Sequence, residues 1–382
     1  MLKFLTSGES HGKCLIGILD GMVSNLPIDI EDINKELERR QKGYGRGERM
    51  KIEKDKVEIL SGVRDGKTIG SPISLLIENK DWENWKEYMD IKKIKEGKER
   101  YIPRPGHADL WGFLKYNYTD LRNVIERASA RETAMRVAIG AICKKFLTEF
   151  NVRFYSRVKQ IGNIKDEGDV SEVKKNYEII EKSPVRCIKK EKEMMDEIDR
   201  VKENGDTIGG IFEIIVAGVC PGLGSYVQWE KRLDAKISYI LMSIPGVKGI
   251  EFGIGFEGIN LTGSKFHDEI FYRNKIYRKT NNAGGIEGGI TNGDDIWIKC
   301  FFKPIPTLKR GLKSFDIRNF EESKYEYERS DICGVVPATI IAENLVAFVI
   351  ADEYIEKFGG DCLEDLKENY NNYLKRIKKF WF

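Results

Sequence analysis

Histidine is scarce in this chain: His11, His107 and His267 are the three among 382 residues. Imidazole is the side chain that changes charge near neutral pH without help from its surroundings. Two of the three are framed by glycine or proline, in Gly8-Glu9-Ser10-His11-Gly12 and Arg104-Pro105-Gly106-His107-Ala108-Asp109. Glycine lets backbone approach a ligand closely, so His11 and His107 are read as proton-transfer residues. His267, in Lys265-Phe266-His267-Asp268, has no such frame and is read as structural.

Arginine is the second signal. Arg39, Arg40, Arg46 and Arg49 fall close together, with Gly43 and Gly45 between them to let the loop fold around a ligand. Guanidinium forks suit phosphate and carboxylate, although a basic loop taken alone is often just a solvated surface. Further on, Ser129 and Glu132 have capping-box spacing, so a buried helix should begin there with its positive dipole end free. Arg127 and Arg131 flank that start, and burying them calls for an anion. The glycine-rich run Gly284–Gly293 has neither the Walker nor the dinucleotide spacing, which argues against ATP and against a Rossmann-bound nucleotide. Arg329-Ser330-Asp331 adds a carboxylate ahead of a second apolar helix.

The elements that would carry these residues are mixed. Strand-like runs occur at Cys14–Leu19, Val57–Val63, Ser71–Glu78, Ile208–Val219 and Ile296–Phe302. The second and third flank Asp65-Gly66 at hairpin distance. Helical periodicity covers Ile30–Gln41, Ser129–Phe150, Gln228–Ser243, Ala338–Phe358 and Cys362–Lys379. Two of these helices are apolar almost all round and so belong in a core. The expectation is an α+β chain with a helical centre covered by antiparallel sheets. Gly8, Gly12, Gly21 and Leu26 recur with identical spacings as Gly205, Gly209, Gly218 and Leu223, which suggests an internal pseudo-twofold.

Composition narrows the function. With 64 basic and 61 acidic residues the net charge is +3, so bulk charge gives no support for nucleic-acid binding. Seven scattered cysteines form no C-x-x-C pair, against a zinc site or a disulfide framework and in favour of a reducing cytoplasm. Gly334–Ala351 is broken by Pro337, Glu343 and Asn344 and reads as a core helix, not a membrane span. No signal peptide is evident near the amino terminus. The chain is expected to be one domain, residues 1–382, with charged surface segments near 84–100 and 159–206.

Taken together, Gly8–Gly12, Arg39–Arg49, Arg104–Asp109, Glu126–Arg136, Thr280–Gly293, Lys303–Thr307 and Arg329–Asp331 resemble the chorismate synthase family, in order and over essentially the whole chain. Pro245-Gly246 departs from the Asn-Ala usual there, and Met22–Asn25 from the usual glycine-and-proline loop. The resemblance implies a β-α-β sandwich assembled as a homotetramer, and trans-1,4 elimination of phosphate from 5-enolpyruvylshikimate 3-phosphate to give chorismate. It implies reduced FMN, lending electron density to expel phosphate and taking hydrogen back, with no net redox change. His11 would protonate the departing phosphate, His107 stabilise the reduced flavin, and Asp331 relay a proton. Ser10, Arg40, Arg46, Arg49, Arg104 and Arg131 would surround the substrate. Ser129, Ala130, Arg131, Pro245, Gly246, Gly288, Lys303, Pro304, Ile305, Pro306, Thr307 and Arg329 would hold FMN. Arg40 and Arg46 match positions assigned to NADPH, yet equally suit substrate phosphate; NADPH stays open as reductant, as does a separate flavin reductase.

Two other classes would also use arginines and glycine loops. A phosphotransferase should add a metal-binding carboxylate cluster near a Walker-type loop, and none is visible. An RNA-binding arm at Arg39–Arg49 would give salt-dependent binding without turnover.

Overall fold

Alternation of buried and exposed residues organises the first sheet of the computed structural model, which describes residues 1–47, 54–325, 327–328 and 330–381. β1 (Lys3–Ser7), β2 (Cys14–Asp20), β3 (Val57–Ile59) and β4 (Ile73–Glu78) pair antiparallel in the order β1-β2-β4-β3. Leu15, Leu19, Ile73, Leu75 and Ile77 point to the core, whereas Leu5, Ile16 and Ile18 stay exposed on the other face. Between β2 and β3 runs α1 (Ile30–Gln41), capped by Asp29, with Glu31 and Asp32 in its first turn and Arg39 and Arg40 in its last. Both charge biases complement the helix dipole.

The second sheet comprises β5 (Arg153–Ile161), β6 (Ile164–Lys165), β7 (Gly210–Ala217), β8 (Val247–Phe252) and β9 (Ile296–Phe302), in the order β8-β9-β7-β5-β6 and antiparallel throughout. Two long helices carry most of the packing: α4 (Thr133–Thr148) against β2 and β4, and α6 (Val335–Phe358) against β5 and β7. They also pack closely on each other. A Cβ on Gly140 would lie 2.4 Å from Asn344 O, so only glycine allows that approach. Smaller helices complete the frame: α2 (Asp109–Tyr116), α3 (Arg122–Arg127), α5 (Leu233–Met242) and α7 (Leu363–Trp381). The chain is therefore α+β. α6 is long and apolar enough to cross a membrane by composition, but it is buried almost along its whole length inside the protein.

Two corresponding connections are built alike. Thr68 Oγ1 donates to Val23 O (2.7 Å) and accepts the Leu26 N–H (2.9 Å). Thr291 Oγ1 donates to Cys220 O (2.8 Å) and accepts the Leu223 N–H (2.9 Å). Both threonines are buried.

Several expectations need correction. Val57–Val63 is not one strand: β3 stops at Ile59, and Val63–Arg64 pairs with Lys67–Thr68 across Asp65-Gly66, both at positive φ as a tight hairpin turn requires. The charged stretch 159–206 is not merely a surface. It holds three helices, and Asp166 is fully buried, accepting the N–H groups of Ile188, Lys189 and Lys190. β1, β5 and β8 lack the run of Ile, Val and Phe that marks the other strands. In β5 the polar face includes Arg157, buried between Glu213 (2.7 Å) and Asp166 (3.4 Å).

Candidate active site

α4 and α6 begin at the same place, and a cavity of about 750 Å³ opens there. Ser129, Ala130, Arg131 and Thr133 line it from the start of α4; Ser330, Asp331, Gly334, Pro337 and Ala338 line it from the start of α6. Two helix N-termini thus add their positive ends to one space. Among the described residues the whole lining is strongly basic: eight lysine or arginine side chains against Asp81, Glu328 and Asp331.

Both framed histidines reach this cavity, each tied to a buried carboxylate. His11 Nδ1 lies 2.9 Å from Glu126 Oε1, and the His11 N–H donates to Glu126 Oε2 at 2.8 Å. The ring stacks on Trp85 with centroids 3.9 Å apart. Burial alone would raise the Glu126 carboxyl, but the His11 bonds, with Arg122 beyond them, hold it below the usual range. His107 Nδ1 lies 2.6 Å from Asp109 Oδ1. Arg104 grips the same carboxylate through Nε (2.8 Å) and Nη2 (3.0 Å), and its Nη1 donates to Thr307 Oγ1 (3.1 Å). Asp109 is fully buried; desolvation opposes ionisation, yet the bonds from His107 and Arg104 keep it well below the carboxylate range.

The arginines sort themselves by neighbour. Arg46 Nη1 lies 3.1 Å from Asp331 Oδ2, while Asp331 Oδ1 accepts the Gly47 N–H at 2.6 Å. Arg131 donates to Asp55 Oδ1 (2.6 Å) and Asn79 Oδ1 (2.8 Å). Arg40, buried, donates to Thr133 Oγ1 and Ala130 O, but its Nη1 makes no hydrogen bond among the described residues and sits 3.6 Å from Asp55 Oδ2. Burial pushes the Arg40 guanidinium down to about 10; Asp55 opposes that, and Arg46 and Arg131 add to it.

Ser10, His11, Arg40, Arg46, Arg104, His107, Ser129, Ala130, Arg131, Pro245, Gly246, Lys303–Thr307 and Asp331 all line the cavity. Arg49 and Arg329 lie outside the described residues. Gly288 does not line the cavity: it turns the hairpin between Ile286–Glu287 and Ile290–Thr291. Arg39 points elsewhere, into a buried network with Glu36, Glu181 and Glu343. The exposed Arg127 bonds to Thr6 and Gly8 and stays out of the cavity. No capping box forms. Ser129 Oγ accepts the Arg131 N–H across a single 3₁₀ turn, and Glu132 pairs instead with Thr6 and Arg136. Arg131 finds its counter-charge in Asp55, so the helix start is not itself evidence for an anion.

Sequence reasoning missed Trp85, Lys98, Arg100, Lys248 and the role of Glu126. Trp85, Lys98 and Arg100 come from the stretch read as charged surface. Its tryptophans were the available clue, since so large an apolar ring in a charged run needs somewhere to pack.

A family model described as chorismate synthase matches residues 2–355. The chain is 53% identical over 379 residues to the chorismate synthase of Alkaliphilus metalliredigens (strain QYMF), covering 98% of this chain and 99% of that one. It is 50% identical over 395 residues to that of Aquifex aeolicus (strain VF5), covering 99% of each. A solved structure titled "Crystal Structure of Chorismate Synthase" superposes with a TM-score of 0.81 at 42% identity over 99% of both chains. The chain belongs to the chorismate synthase family. Membership in the chorismate synthase family implies a flavin cofactor, and the residues fit one. The cavity is large enough for a planar ring system beside a second small molecule. Arg40, whose Nη1 is buried without a hydrogen bond among the described residues, and Lys303, close to Lys248, suit a group bearing phosphate.

Proposed function

We propose that this chain is a lyase that converts 5-enolpyruvylshikimate 3-phosphate to chorismate and phosphate by trans-1,4 elimination, with reduced FMN and no net redox change. One observation carries the reading: His11 and His107, each held by a buried carboxylate, open onto the same arginine-lined cavity. A substrate with one phosphate and two carboxylates fits that excess of positive charge better than a neutral ligand.

In the elimination an allylic C–O bond to phosphate breaks and a C–H bond breaks, leaving a new double bond and inorganic phosphate. The chemistry that reduced FMN supplies when bound is electron density for the departing phosphate and a place for the departing hydrogen. Glu126 takes the Nδ1 side of His11, so its Nε2, with no hydrogen bond among the described residues, donates a proton to the phosphate. His107, fixed by Asp109, would stabilise the electron-rich form of the reduced flavin. Asp331 relays a proton, its carboxylate steadied by Gly47 N–H and Arg46. Ser10, Arg40, Arg46, Arg104 and Arg131, with Arg49, hold the substrate. Ser129–Arg131, Pro245-Gly246, Lys303–Thr307 and Arg329 would hold the flavin. Arg40 is buried and bonded to Thr133, which favours an enclosed anion over NADPH as its partner.

In the same reading the enzyme is cytoplasmic, takes reduced flavin from another protein, and forms a homotetramer; the exposed apolar face of Leu5 paired with Ile18 supports association. We read the architecture as one domain, a β-α-β sandwich whose halves are related by a pseudo-twofold. The matching Thr68 and Thr291 bonds support that view.

The test is anaerobic. With reduced FMN the protein should release phosphate from the substrate, and with oxidised FMN it should not; release independent of flavin state would refute the proposal. NADPH oxidation with added FMN under nitrogen separates self-reduction from an external supply.

A further inference from the structure

We infer that Glu126 is the positioning residue of His11: its carboxylate fixes the ring with Nδ1 inward and leaves Nε2 for the ligand, while Trp85 closes one face of the ring. The inference rests on the reading of His11 as proton donor.

Glu126 holds the Ser10-His11 loop at three points. Its backbone oxygen accepts the Ser10 N–H (3.1 Å), Oε2 accepts the His11 N–H (2.8 Å), and Oε1 faces His11 Nδ1 (2.9 Å). A purely structural carboxylate would serve the neighbouring arginine instead. Arg122, however, stands 3.4 Å from Glu126 and makes its shorter bond, 2.9 Å, to Glu328. The side chain best served by Glu126 is therefore His11. A carboxylate on Nδ1 selects the tautomer that leaves Nε2 towards the cavity.

Trp85 supplies the second constraint. It stacks on His11 at 3.9 Å and 18°, so the imidazole cannot swing away from Glu126 towards that side. Lys98 (4.9 Å) and Arg122 (5.3 Å) lie over the indole in turn. Among the described residues, Glu126 and Arg122 from α3, Glu328 beyond them and Lys98 across Trp85 surround this ring stack. His107 repeats the device with Asp109 and Arg104.

With only three histidines, each ring can be followed by its own carbon–proton NMR signal, assigned through His11→Gln, and the ¹⁵N shifts of the ring report which nitrogen carries the proton. In the neutral ring of the wild type the His11 proton should sit on Nδ1, facing Glu126, with Nε2 bare. In Glu126→Gln that preference should be lost, because an amide can donate as well as accept, while His107 keeps its own tautomer; Glu126→Asp, which keeps a carboxylate acceptor, should retain it. A wild-type His11 proton on Nε2, or an Nδ1 preference unchanged in folded Glu126→Gln, overturns the inference. If Glu126→Gln does not fold, the wild-type tautomer decides: Nδ1–H confirms and Nε2–H refutes. Phosphate release is the separate readout. If the tautomer changes as stated but activity does not follow, the positioning role stands and the proton-donor reading of His11 falls.

Discussion

Gly246 and Phe302 approach so closely that a Cβ on the glycine would lie 2.4 Å from the phenyl ring, and Gly246 sits at φ +101°. The two residues line the cavity together, and the ring fills the space an alanine methyl would need. Gly246→Ala should therefore destabilise the protein by about 1–2 kcal/mol for the backbone and about 1–3 kcal/mol more for overpacking. Adding Phe302→Leu should recover the overpacking share and not the backbone share. Urea unfolding of the single and double variants checks this; equal losses in both would show that the ring is not the obstacle.

The three histidines should separate cleanly. His11→Ala and His107→Ala are each expected to slow turnover by about 10- to 10⁴-fold with the circular dichroism spectrum retained, and His267→Ala to stay near wild type. His267 is exposed and away from the cavity. A large loss at His267, or none at His11, would contradict the assignment.

Asp109 predicts a pH effect on stability. Its carboxyl is held below the usual range in the folded protein despite burial, by bonds from His107 and Arg104. Such a group stabilises the fold above its unfolded pKa, about 3.9, and that contribution is lost as pH falls through the lower folded value. Asp109→Asn should cost about 3–5 kcal/mol at pH 7 by leaving Arg104 without its partner. The gap from wild type should shrink as pH drops from about 5 to 3. A gap constant across that window in thermal melts would show that the charge is not what matters.

Adjacent arginines should behave oppositely. Arg39 is tied to Glu343, which also accepts from Ser156 (2.7 Å) and pairs with Lys144, all in the core and outside the cavity. Glu343→Ala should lose about 3–5 kcal/mol in denaturant unfolding while the folded fraction keeps its turnover rate. Arg40→Gln should show the reverse, a large activity loss with a smaller change in stability.

Much of the frame was legible because its signals are local. Ile30–Gln41 and Ile296–Phe302 occupy the residues their periodicity and composition indicate. The site histidines stood out through their glycine frames. What stayed hidden depends on distant partners: Arg157 can lie in a buried strand only because Glu213 and Asp166 meet it there. Likewise nothing next to Trp85 in the chain announces His11. Arg39 and Arg40 looked equivalent in sequence because a helix turns neighbours to different sides, and only packing says which side is the cavity.

The central claim is that cations from separate parts of the chain act on one bound substrate. Calorimetric titration of 5-enolpyruvylshikimate 3-phosphate into the FMN-loaded protein tests it most directly, using wild type, Arg40→Gln, Arg46→Gln and Arg104→Gln. Loss of a charge-assisted bond worth about 1.5–3 kcal/mol predicts that each variant binds at least about 10-fold more weakly. Isotherms indistinguishable from wild type in all three would contradict the account.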